Sequence, residues 1–174
     1  MKRILLEVCG PLFKMIQMWM IHGDAHDIYG DFFVVEDVEE ENVWVRKYKL
    51  NVEQIPLFLT YDTAYRVFLA GKTINFIRKS CADIEWTVPD SLKNPKVRSW
   101  GDMLLNPGIL NEWISKVSEA TNKRLISLLF DKYHFLEHCK NINRYLLSAQ
   151  GNFHQHLMDL MYNALSKPTE SIYK

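Results

Sequence analysis

The chain has 174 residues, of which 48% are hydrophobic, 13% aromatic and 24% charged. Lys+Arg and Asp+Glu each number 21, so the formal net charge is zero. This composition excludes a disordered segment, the neutral balance excludes the basic footprint of a nucleic-acid binder, and zero net charge favours association.

Residues 2–22 carry apolar side chains at Leu5, Leu6, Leu12, Phe13, Ile16, Trp19 and Met20. That spacing predicts a helix, with Pro11 as a break or fresh start and Gly23 as its stop. Its first apolar run is too short for a signal peptide. No window in the sequence holds about 18 uncharged apolar residues, so no membrane span is expected. Residues 32–50 read as two β-prone runs around an acidic tip, hence an extended excursion or hairpin. The tip, Glu36, Asp37 and Glu39 to Glu41, is expected to be a solvated loop.

Ile55-Pro56 predicts extended backbone. A helix should start near Thr60 to Thr63, capped by Asp62 or Thr63, and run to about Cys81. Its apolar face is Ala64, Val67, Phe68, Ile74 and Ile77, and Gly71 within it would permit close packing. Residues 82–108 are rich in Pro, Asn, Asp and Ser, which predicts a loop or insertion. Helical spacing returns at Leu110, Trp113, Ile114, Val117, Leu125, Leu128, Phe135, Leu136, Cys139, Ile142 and Leu146, as one long helix or two joined by a kink. Gly151 interrupts it, Phe153 to Leu165 forms a last amphipathic helix, and Lys167-Pro168 ends that helix. The fold class is all-α, a helical bundle with one short extended excursion.

Cys9, Cys81 and Cys139 are far apart and form no C-x-x-C pair, which suits reduced thiols in a cytosolic protein. His134, Glu137 and His138 match the H-x-x-E-H signature of a zinc protease family. On a helix they would share one face, with two imidazoles for zinc and a glutamate for general base. A hydrolytic site needs a third protein ligand, and downstream only Glu170 is left to supply it. Boundary histidines are therefore the favoured reading over a zinc-dependent hydrolase. "AGKT" at 70–73 ends like a phosphate-binding loop, but Arg66 stands where that motif needs glycine. His154 and His156 are two apart and point to different helix faces. No catalytic constellation emerges, so the chain is expected not to be an enzyme and to use no cofactor or metal. A generic helical interaction scaffold fits the composition equally well.

The stretch "RYLLSAQGNFHQHLMDLM" resembles a signature of the γ-tubulin complex component family, R-Y-[LF]-L, two residues, Q-G-D-F, three residues, L-M-D. Arg144, Tyr145, Leu146, Leu147, Gln150, Gly151, Phe153, Leu157, Met158 and Asp159 fit it, and Asn152 departs where the family has Asp. "GPLFKMIQMWMIHGDAHDIYGDFFV" is similar to a second family pattern at Pro11, Leu12, Trp19, Gly23, Asp27, Tyr29, Asp31, Phe32 and Phe33. A third match is "KYKL", "IPLFL" and "GKTINFI" at 47–50, 55–59 and 71–77. Together they cover nearly the whole chain outside 82–108.

The resemblance implies an elongated all-α scaffold that binds γ-tubulin and other complex components, with neither nucleic acid nor membrane as partner. The place it implies is the cytoplasm and cytoskeleton, at a microtubule-organising centre (centrosome or spindle pole). Residues 1–81 are then expected to end the N-terminal, lateral-assembly half, 82–108 to be a loop or insertion, and 109–174 to begin the γ-tubulin-binding half. The family continues for hundreds of residues on both sides, so a fragment or short form is expected. The turn at Gln150, Gly151, Asn152 and Phe153 is expected nearest γ-tubulin, with Arg144 and Tyr145 either bracing it or contacting γ-tubulin, and with Gly151 allowing a sharp helix-to-helix bend.

Overall fold

The computed structural model describes residues 2–37, 39–40, 46–94, 106–147 and 149–166. It divides into two compact units, Met1–Ser127 and Leu128–Lys174.

In the first unit, α1 spans Lys2–His22 with Pro11 inside it. A proline has no N–H for the carbonyl four residues back. The helix nevertheless continues past it, because Phe13, Ile16, Trp19 and Met20 are buried in the core beyond. Gly23 ends α1 as expected: its φ is +65° and its N–H donates to the Trp19 carbonyl at 2.9 Å. Its own carbonyl accepts from the buried Asn75 amide at 2.7 Å.

The excursion is a two-stranded antiparallel sheet, β1 Val34–Glu36 and β2 Tyr48–Leu50, with Val34 opposite Leu50 and Glu36 opposite Tyr48. The acidic tip is only partly the solvated loop expected. Glu36 belongs to β1 and pairs with Lys47 at 3.3 Å, and Asp37 pairs with Lys49 at 3.2 Å. Glu41 lies outside the described residues. Tyr48 is buried with its ring edge-on to Trp19, centroids 4.9 Å apart. Burial first, then the charge of Glu36, push its phenol up from 10.0 to about 12. An unfolded-chain phenol ionises near pH 10. The stabilisation tied to the neutral phenol is therefore complete below pH 10 and lost as pH rises from 10 towards 12. In urea melts across that window, Tyr48→Phe should lose less stability than the wild type; parallel losses in the two proteins would refute the assignment.

Helix α2 spans Tyr61–Lys79. Its cap is Thr60, two residues before the nearer expected candidate, Asp62: Thr60 is extended and its hydroxyl accepts from the Thr63 N–H at 3.3 Å. Thr63 instead donates its hydroxyl to the Asn111 side chain at 3.0 Å. α2 packs against both α1 and α4, which spans Pro107–Ser127. This central position explains why burial runs almost all round it, taking in Ala70, Gly71, Lys72, Thr73 and Asn75 besides the expected apolar face. Close packing at Gly71 is borne out. A Cβ there would fall inside the indole of Trp19, whose Nε1–H donates to the Val67 carbonyl at 3.0 Å.

The 82–108 stretch contains a short helix, α3 Asp90–Lys93, and residues 95–105 of it lie outside the described residues. The helices on either side of it, α2 and α4, belong to the same compact unit.

The second unit opens on a π-helical turn, Leu128–Lys132. Helix α5 then spans Phe135–Asn141, a second π turn Ile142–Leu146, and α6 Gly151–Leu165. The stripe expected from Leu110 to Leu146 does not stay buried: Phe135, Leu136, Ile142 and Leu146 are all exposed. An i→i−5 turn holds an extra residue, so side chains beyond it leave the face that a 3.6-residue period assigns them.

Candidate docking surface

In the second unit, the polar backbone of the 142–150 turn closes on itself. The Leu147 N–H donates to the Ile142 carbonyl at 3.1 Å, Ala149 to Asn143 at 3.2 Å and Gln150 to Arg144 at 3.2 Å. The Gln150 carbonyl in turn accepts from the N–H groups of Phe153 at 3.1 Å and His154 at 3.4 Å, starting α6. With these main-chain groups satisfied internally, the side chains are left to face outward.

Arg144, Tyr145, Gln150, Gly151, Asn152 and Phe153 are all exposed. The fold brings Tyr145 and Phe153 together edge-to-face, with centroids 5.1 Å apart and planes at 79°. Phe153 also meets the His154 ring at 5.7 Å. Gly151 departs from expectation. It is the first residue of α6 and is absent from the glycines at positive φ. A Cβ added to it meets nothing within 4 Å. The bend is made by the widened i→i−5 and i→i−6 bonds, so it does not need glycine's conformational freedom.

Around this pair the second unit exposes further large apolar side chains. Leu146 is 75% exposed, Leu147 69%, Met158 58%, Leu160 69% and Tyr162 68%. Soluble surfaces carry single apolar residues routinely, but a concentration of this kind marks an interaction face. The signal was present in the sequence as an amphipathic helix pair.

The histidine motif takes a different shape from the one its spacing suggests. His134 lies before α5 with φ +46°, in left-handed backbone, while Glu137 and His138 lie within the helix. The three therefore do not line one helical face. Among the described residues no group of three or more His, Cys, Asp or Glu could hold a metal ion. Gly71, Lys72 and Thr73 lie in the middle of α2, where the Thr73 hydroxyl donates to the Leu69 carbonyl at 2.8 Å. Lys72 is buried with its ammonium 5.2 Å from the Phe68 ring centroid. A helix interior offers no row of free N–H groups to a phosphate. No helix among the described residues is long and apolar enough to cross a membrane.

The described residues are mainly helical with one two-stranded hairpin. The family model described as "Gamma tubulin complex component N-terminal" matches residues 1–132. The chain belongs to the gamma-tubulin complex component family. It is 35% identical to Gamma-tubulin complex component 3 of Arabidopsis thaliana, over 99% of this chain and 21% of that protein. It is 34% identical to Spindle pole body component alp6 of Schizosaccharomyces pombe, over 99% and 21% respectively. Gamma-tubulin complex component 3 of Homo sapiens is 34% identical over 99% of this chain and 20% of its own length. The chain thus spans about a fifth of the length of these relatives.

Proposed function

We propose that this chain is a scaffold segment of a γ-tubulin complex that helps template microtubule nucleation at microtubule-organising centres, at the centrosome or spindle pole. It acts by docking and performs no bond chemistry. Gathering several tubulins into one array costs translational and rotational freedom. A scaffold that holds γ-tubulins side by side offsets much of that cost through effective concentration. The observation that carries this reading is the N-terminal family match over 1–132, followed directly by a unit with an exposed apolar face.

In this reading the first unit serves lateral assembly with other complex components. A start of the γ-tubulin-binding half near 128–132 is supported by the packing of α4 on α2 within the first unit and by the N-terminal family match to residue 132. Tyr145 and Phe153, flanked by Arg144, Gln150, Gly151 and Asn152, make the γ-tubulin contact nearest the seam.

Co-precipitation of γ-tubulin tests this, with the chain alone and with the chain inside a full-length component. Replacing Tyr145 and Phe153 together by Ala should reduce recovery about tenfold or more, as expected for a buried aromatic anchor pair. Components that assemble laterally should still be recovered, and His138→Gln should change neither. Undiminished γ-tubulin recovery by the aromatic double variant in both settings would sink the assignment of this turn.

A further inference from the structure

We propose that residues 88–94 form a clasp that joins α1 to α4 and opens as a separate local unit while the three-helix layer stays folded. The clasp contains α3, a helix of four residues whose leading Pro89 makes no side-chain cap. A helix this short leaves its last carbonyls without internal partners and is far below the length at which a helix holds by itself. Its carbonyls are instead satisfied from two other elements. The Gln17 amide on α1 donates to the Lys93 carbonyl at 2.8 Å and to the Asn94 side-chain oxygen at 3.0 Å. The Trp113 indole on α4 donates to the Leu92 carbonyl at 2.8 Å. The apolar hold is equally small: Val88 is buried and Leu92 packs against the core from a partly buried position. Among the described residues, two donors and two apolar side chains thus hold a segment that links α1 to α4. Segments with so few buried contacts open at lower free energy than the core they lie on.

The molecule carries its own control. Trp19 and Trp113 both bury an indole whose N–H donates to a main-chain carbonyl. Trp19 donates to Val67 inside α2, and Trp113 donates to the clasp. Hydrogen exchange of the two indole N–H groups, followed by NMR at increasing sub-denaturing urea, therefore separates local from global opening. The Trp113 N–H should exchange faster and with little urea dependence, whereas the Trp19 N–H should follow global unfolding. Gln17→Leu removes the α1 donor and both of its bonds to the clasp and should speed Trp113 exchange at least about fivefold, the effect of losing one hydrogen bond, leaving Trp19 exchange unchanged. Leu92→Ala, which weakens the clasp from its own side, should do the same. Equal exchange of the two indoles with the same urea dependence would overturn the proposal, as would acceleration of both to the same extent by either variant.

Discussion

Gly71→Ala should destabilise the chain by about 3 kcal/mol, the upper range for overpacking a filled core. The sign is the informative part. In an exposed helix interior the same change gains about 1 kcal/mol, because alanine surrenders less backbone freedom. At Gly71 the added methyl would coincide with the Trp19 indole, which is itself fully buried and hydrogen-bonded to Val67. Either α1 moves off α2 or the indole leaves its site, and both open the core. Gly108→Ala provides the comparison: it lies in the first turn of α4 with nothing within 4 Å of an added Cβ. It should be neutral or gain up to about 1 kcal/mol. Urea midpoints with unchanged slope measure both. A Gly71→Ala variant as stable as the wild type would mean that α1 and α2 do not meet as described.

Trp19→Ala should cost about 4 kcal/mol, within the range for emptying a buried tryptophan site. The residue, on α1, touches two other elements at once: α2 through Val67 and Gly71, and the β2 strand through Tyr48. The resulting void cannot be closed by moving one of them alone. The two substitutions should be strongly non-additive. In a Trp19→Ala background the space that Gly71→Ala needs is already open, so the second change should cost little or even gain. Additive losses in that cycle would place the Gly71 penalty elsewhere.

The elements legible in the sequence were those fixed by local chemistry and simple periods. Pro11 aside, the spacing from Phe13 to Met20 and the stop at Gly23 define α1. The β-prone runs flanking the acidic tip define the hairpin. Ile55 before Pro56 is extended as expected, at φ −67° and ψ 122°. The failures share a cause: each depended on contacts that the period does not encode. Thr60 won the cap over Asp62 and Thr63 because Thr63 turns its hydroxyl to Asn111, 48 residues away. The long stripe from Leu110 failed beyond Leu128 because widened turns at 128–132 and 142–146 reset the face. At the candidate site, the aromatic pair Tyr145 and Phe153 was within the stretch singled out, but its partnership needed the bend that brings residues eight apart into contact. Gly151 was given a conformational role that the backbone bonds of Ala149 and Gln150 perform.

The central placement of α2 bears on how the chain is made. Across the layer the order α1, α2, α4 is also the order along the chain. During synthesis α1 can find its partner face as soon as α2 has emerged, closing the loop between Trp19 and Val67. The other face of α2, with Thr63 towards the later helix, must wait for α4. Each step joins helices in chain order across a separation of 48 residues, Trp19 to Val67 and Thr63 to Asn111, and loop-closure entropy grows only slowly with such a length. The interval before α4 arrives is the time at which this half-covered helix is most exposed to wrong partners.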